Sequence, residues 1–203
     1  MTAMHKFSYG LFVLTAKDDE KDNGCIINTA LQVTTDPKQV SICVTKGNYT
    51  HDMIKKTGKF NLSFLTEKTS FDIFTRFGFQ CGKDVDKFID LDEAARADNG
   101  IMYLTKSANA MVSVNVSQSI DLGTHTMFIG EVIEDKVLSD ISSCTYQYYF
   151  DNIKPAPAAK DDGQPKKNGW VCKICGYVYE GEELPPDFIC PICKHGVEDF
   201  EPL

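Results

Sequence analysis

Alternation of apolar and polar positions is the clearest signal along the first 150 residues. Val112, Val114 and Val116 are set against Ser113, Asn115 and Ser117, the period of two that marks a half-buried strand. Runs of β-branched and aromatic residues recur at Tyr9–Ala16, Cys25–Thr34, Val40–Thr45, Lys59–Leu65, Ala110–Ile120 and Thr126–Val137, and each predicts a strand. Turn-forming clusters stand between them at Asp22-Asn23-Gly24, Asp36-Pro37 and Gly47-Asn48. Helical spacing is confined to Thr50–Thr57, with Gly58 as its stop, and to Ser70–Phe77. Many strands with short connections predict a mainly β fold, a closed antiparallel barrel.

The pattern breaks at Asp151–Gly169, a polar stretch rich in Pro, Lys and Asp. It reads as a linker, partly stiffened by its prolines. The expected division is a barrel domain at 1–153, a linker at 154–169 and a small module at 170–203. Net charge is -8, which argues against a nucleic-acid partner. No apolar run approaches the ~20 residues needed to cross a bilayer. The N-terminus lacks a charged segment followed by an apolar one, so a cytoplasmic, membrane-free protein is expected.

Eight cysteines change the picture. Cys25, Cys43, Cys81 and Cys144 are scattered, and Cys25, Cys43 and Cys144 read as packing residues. The other four form two CxxC pairs, Cys172/Cys175 and Cys190/Cys193. Each pair sits on a tight turn that aims two sulfurs at one point, and together they offer four thiolates in tetrahedral geometry. Gly176 follows the second sulfur, where a turn favours a residue without bulk. A module of 34 residues has too small a core to fold unaided, so the metal supplies much of its stability. A structural zinc ribbon is one reading of this set. Trp170, Tyr177, Tyr179, Phe188 and Phe200 form an aromatic shell that favours the other, a redox-active iron.

The string CxxCGYVY…CPxC with a downstream Asp-Phe-Glu resembles rubredoxin, in the abbreviated form found fused to other redox proteins. The resemblance implies one iron on four cysteines, cycling between ferric and ferrous states. In the large domain, six strings occur in one order: Tyr9–Leu11, Asn28–Thr34 ending at Pro37, Lys46–His51, Phe77–Phe88, Gly123–Val132 and Thr145–Tyr149. Together they resemble the flavin-reductase-like family, whose fold is an FMN-binding split barrel of Greek-key type. The two-domain arrangement is similar to the high-molecular-weight rubredoxins, which couple NADH to flavodiiron proteins.

The resemblance implies FMN as cofactor and NADH or NADPH as donor. It assigns FMN to Asn28, Thr29, Ala30, Lys46, Asn48, Tyr49, Thr50, Cys81, Gly82 and Lys83. Lys46, Asn48 and Thr50 lie in a turn that opens a short helix, a natural anion site. Asn28, Thr29 and Ala30 are small and suit a backbone lying along the isoalloxazine edge. Cys81 stands where the family carries Ser, and donates a weaker hydrogen bond. His125 matches the histidine of the family's Gly-Asp-His motif, linked to flavin and nicotinamide binding, but Thr124 replaces the Asp. Homodimerisation is implied, with FMN near the interface. So is a partner redox protein, a flavodiiron-type acceptor. Two other functions stay open at this point: a carrier loaded by a separate reductase, and a non-redox barrel with a zinc ribbon.

Overall fold

The computed structural model describes residues 6–19, 21–155, 169–173, 177–190 and 195–202. In chain order the large domain contains β1 (Phe12–Lys17), β2 (Asp22–Ile27), β3 (Leu31–Thr35), β4 (Lys38–Thr45), α1 (Tyr49–Thr57), β5 (Lys59–Leu65) and α2 (Phe71–Gly78). A small hairpin follows, β6 (Ala94–Arg96) and β7 (Met102–Leu104), then the long strands β8 (Ala108–Asp121) and β9 (His125–Val137). The chain next makes a short helix, α3 (Tyr146–Tyr148), that runs into a π-helical turn at Tyr149–Ile153. Seven strands form one antiparallel sheet in the order β2-β1-β5-β8-β9-β4-β3.

β1 shows why this sheet curls. Leu14 and Ala16 face one buried cluster, with Ile42, Phe60, Leu62 and Phe128. Leu11 and Val13 face a second, with Leu65, Phe74, Phe77 and Tyr149. A strand buried on both faces needs cover on both. Met53 and Ile54 of α1 cover the first cluster, and Ile73, Phe74 and Phe77 of α2 cover the second.

The strand pattern holds with two instructive differences. Cys25–Thr34 is not one strand: it breaks at Asn28-Thr29-Ala30, where the Thr29 hydroxyl donates to the Cys43 carbonyl at 2.7 Å. Asp22-Asn23-Gly24 is not a turn but the start of β2, with Gly24 opposite Thr15. A Cβ at Gly24 would lie 3.0 Å from the Leu14 carbonyl oxygen and 3.1 Å from the Phe77 ring. The glycine is therefore there for close packing of α2 on the sheet, which a local turn signal does not distinguish. The hairpin β6–β7 was not legible in the sequence. Its short strands hang on side chains of distant ones: Thr15 donates to the Met102 carbonyl at 2.6 Å, Asn61 to that of Ile101 at 3.0 Å.

The small module has a three-stranded sheet of β10 (Gly169–Cys172), β11 (Val178–Glu180) and β12 (Phe200–Pro202), ordered β11-β10-β12.

Candidate flavin cleft and metal centre

α1 begins at Asn48, whose side-chain oxygen accepts from the Thr50 amide at 2.9 Å, and ends at Gly58 in the left-handed region (φ 67°). Its buried face fixes the start of the helix. His51 Nε2 lies 2.9 Å from Thr126 Oγ1 on β9, and the Thr50 hydroxyl accepts from Asn23 Nδ2 at 2.9 Å. Asn48, Tyr49 and Thr50 are thus held against β2 and β9. The chain leaving α2 passes opposite them through Cys81 and Gly82.

Between these two walls lies a cleft of about 270 Å³, lined by Asn23, Cys25, Thr45, Asn48, Tyr49, Phe79, Cys81, Gly82, Lys87 and His195, among others. No carboxylate belongs to its described lining. The Lys83 ammonium lies 5.8 Å from the centre of the Tyr49 ring. Lys87 is 3 % exposed and donates to the carbonyls of Gly24 and Phe77 at 2.9 and 3.3 Å. Burial lowers its pKa, offset in part by the Cys25 and Cys81 thiols. Among the described residues no carboxylate pairs with Lys87, and its ammonium gives the cleft a positive floor.

Gly82 has no room for a side chain. A Cβ there would lie 2.0 Å from Asn23 Oδ1, which is itself buried and has no hydrogen-bond partner among the described residues. Such an orphan acceptor is costly unless something donates to it. A ribityl hydroxyl is a donor of the required kind, and the positive floor suits a phosphate. The residues present therefore fit FMN.

The structure brings Asn48, Tyr49, Thr50, Cys81, Gly82 and Lys83 together around this cleft. The Lys46 ammonium pairs with Asp121 at 2.8 Å on the exposed side of the strand end, and its backbone amide donates to the Thr124 carbonyl. Asn28, Thr29 and Ala30 form the break between β2 and β3, with Ala30 packed on the same cluster as Tyr49. His125 is exposed at the start of β9, paired in register with Thr45 of the cleft lining. Its Nδ1 lies 2.9 Å from the Thr124 hydroxyl, so Thr124 orients the ring from the position where the family has Asp. Asn23, Lys87, Phe79 and His195 were not singled out in the sequence. Lys87 stands in the Phe77–Phe88 string, but nothing local marks it as buried.

In the module, Cys172 and Cys190 are 1 % and 0 % exposed and share one cluster with Phe200, Trp170, Tyr177, Tyr179 and Phe188. The Cys172 amide donates to the Tyr177 carbonyl and the Cys190 amide to that of His195, both at 2.8 Å. Each CxxC loop is thus closed onto the residue five positions on. Cys175 and Cys193 lie outside the described residues. Two buried first cysteines on matching loops, inside an aromatic shell, fit a metal held by thiolates.

Residues 4–157 match the flavin reductase like domain family, and residues 170–201 match the rubrerythrin, rubredoxin-like domain family. The chain is 32 % identical to the high molecular weight rubredoxin of Moorella thermoacetica, over 99 % of this chain and 98 % of that protein. It is 36 % identical to a ferric-chelate reductase (NAD(P)H) of Archaeoglobus fulgidus, over 72 % of this chain and 86 % of that one. Among solved structures, an NADH:FAD oxidoreductase of Streptomyces globisporus superposes with a TM-score of 0.62 at 23 % identity, covering 70 % of this chain and 83 % of that one, and shows the shared fold. These matches define a flavin reductase-like split barrel fused to a rubredoxin-like module, a flavin- and iron-dependent oxidoreductase. The chain belongs to the flavin reductase-like family and, by its two-domain arrangement, to the high molecular weight rubredoxins.

Proposed function

We propose that the protein takes electrons from NADH or NADPH into FMN, passes them to the cysteine-bound iron, and delivers them to a partner redox protein of flavodiiron type. The observation that carries this reading is the placement of a cationic cleft, with no carboxylate in its described lining, and a buried cysteine cluster on one polypeptide, with His195 of the module lining the cleft. When bound, FMN accepts the hydride of a nicotinamide as an electron pair and releases the electrons singly, and the iron takes one per cycle.

The chain's own residues do the positioning. Lys87 and the loop at Cys81, Gly82 and Lys83 hold the phosphate end, with Asn48, Tyr49 and Thr50 at the start of α1 as the opposite wall. Asn28, Thr29 and Ala30 lie along the ring edge. His125, oriented by Thr124, stands at the rim beside Thr45, where it contacts the nicotinamide; it is the catalytic candidate. Lys46 acts through its ion pair with Asp121, which braces the β8–β9 tip next to His125. Cys172, Cys175, Cys190 and Cys193 hold the iron and keep it from water together with the aromatic shell. The division into barrel (1–153), linker (154–169) and module (170–203) follows.

Two wider features belong to the same proposal. Leu31, Val33, Ile120 and Leu122 are exposed on β3 and at the β8–β9 tip, and they supply an apolar face for a homodimer. The module is acidic, with Glu180, Glu182, Glu183, Glu198 and Asp199, which suits a basic docking patch on the acceptor. No described helix is long and apolar enough to cross a membrane, and the proposed site of action is the cytoplasm.

The test is anaerobic mixing of the purified holoprotein with NADH or NADPH, reading flavin and iron absorbance together. Flavin bleaching followed by iron bleaching is expected. Flavin that bleaches while the iron stays ferric rejects internal transfer. No nicotinamide oxidation, with rapid reduction by a separate reductase, makes the chain a carrier instead.

A further inference from the structure

The module's buried cysteine cluster is covered in part by the large domain. Phe79, from the large domain, packs on the cluster that holds Cys172, Cys190 and Phe200. Phe79 is the C-cap of α2, its amide donating to the Thr75 carbonyl at 3.1 Å, and it stands two residues before Cys81 of the flavin cleft. One turn of chain thus forms both a wall of the cleft and an apolar seat for the cysteine cluster. A second contact lies nearby. The Lys154 ammonium donates to the Lys173 carbonyl at 3.2 Å, inside the first CxxC loop. Lys154 is itself placed by the Phe150 ring, 5.1 Å from its ammonium, and by its amide, which closes the π-helical turn on the Tyr149 carbonyl at 2.8 Å. From the module side, His195 reaches the cleft lining.

We infer that the module docks in cis: Phe79 seats its metal end on the mouth of the same chain's flavin cleft, and Lys154 latches it there. This deepens the electron-transfer reading and rests on it. The physical case has two parts. An aromatic seat removes water between cleft and cysteines, and electron transfer weakens steeply with distance and with solvent reorganisation. The cation of Lys154 complements a four-thiolate ferric site, whose net charge is negative. Docking within the chain also turns a bimolecular encounter into an intramolecular one, with an effective concentration in the millimolar range. Phe79 and Lys154 are positioning residues; neither carries an electron.

The experiment compares the full-length holoprotein with Lys154→Glu, Lys154→Arg, Phe79→Asp and Phe79→Leu, using small-angle X-ray scattering and anaerobic stopped-flow with NADH. Wild type is expected to be compact, and its iron step to be independent of protein concentration. Lys154→Glu should leave the flavin step unchanged, slow the iron step at least about threefold, and expand the particle, because it replaces an attractive contact with a repulsive one. Lys154→Arg should restore both. Phe79→Asp, which places a carboxylate beside thiolates, should expand the particle further, and Phe79→Leu should not. Unchanged scattering and an unchanged iron step in Lys154→Glu and Phe79→Asp overturn the inference. A compact wild type that the two charge variants expand, but whose iron never reduces, keeps the seat and rejects the electron-transfer reading instead.

Discussion

Lys87 and Cys144 show how burial, rather than residue type, sets chemistry. Lys87 is a buried ammonium whose described partners are two backbone carbonyls. Lys87→Met removes the floor charge of the cleft and leaves both carbonyls without that donor. We expect FMN affinity to fall by about tenfold or more, since hydrogen bonds to charged groups contribute about 1.5–3 kcal/mol. Fluorescence titration of the apo-barrel with FMN reads this directly. The Cys144 thiol is fully buried, and its pKa is pushed up to about 11 by burial and by the charge of Glu67. In the unfolded chain it titrates at its ordinary value of 9.0. The folded state thus keeps a proton that the unfolded state loses. This contribution to stability is intact below pH 9 and is lost as the pH rises towards 11. The unfolding midpoint of wild type should fall more steeply over that window than that of Cys144→Ala, measured by thermal scans at several pH values. An equal slope in the two proteins would remove Cys144 from the account.

At the scale of elements, the cleft is a junction of α1, β2 and the loop after α2, and it closes only if all three approach closely. Gly82 is where that approach is tightest. Gly82→Ala sets a Cβ 2.0 Å from Asn23 Oδ1 and 2.4 Å from its Cγ, so the Asn23 side chain must swing away. That movement breaks the bond from Asn23 to Thr50 and frees the start of α1. The expected result is a protein purified with little flavin and destabilised by about 1–3 kcal/mol, the cost of a broken buried bond and its orphaned partner. A Gly82→Ala protein with full flavin content and unchanged stability would show that the loop has room to shift. The same junction explains which part of the site was readable. The helix at Thr50–Thr57 with Gly58 as its stop was legible because cap and period are local signals. Asp-Asn-Gly is a turn signature, so Asn23 reads as part of a turn; the contacts that favour β2 there, Thr50 on Asn23 and Phe77 against Gly24, come from far along the chain.

For the whole molecule, two folding units of unequal independence share one chain. The large domain has two buried clusters of its own, built from strands and helices that cover one another. The module's described residues form one small cluster, in which Cys172 and Cys190, two of the proposed iron ligands, are core residues. Removing the metal should therefore unfold the module and spare the barrel. Calorimetry of the holoprotein with and without a strong chelator should lose the module's transition and retain the barrel's, along with bound flavin. A single transition that chelation shifts as a whole would mean that the two units stabilise each other through the Phe79 seat more than their separate cores do.

Residue spacing alone determined the β character of the large domain and the rubredoxin-like character of the C-terminal module. CxxC loops, strand alternation and a polar proline-rich stretch are local patterns whose physical consequences need no distant partner. Tertiary structure decided the rest: the burial of Lys87, the placement of the Asn23 oxygen against Gly82, the pairing of Lys46 with Asp121, and the meeting of Phe79 with the cysteine cluster. Each depends on groups distant in sequence being packed against one another, and packing at that range sets burial, charge and contact in ways that no local pattern records.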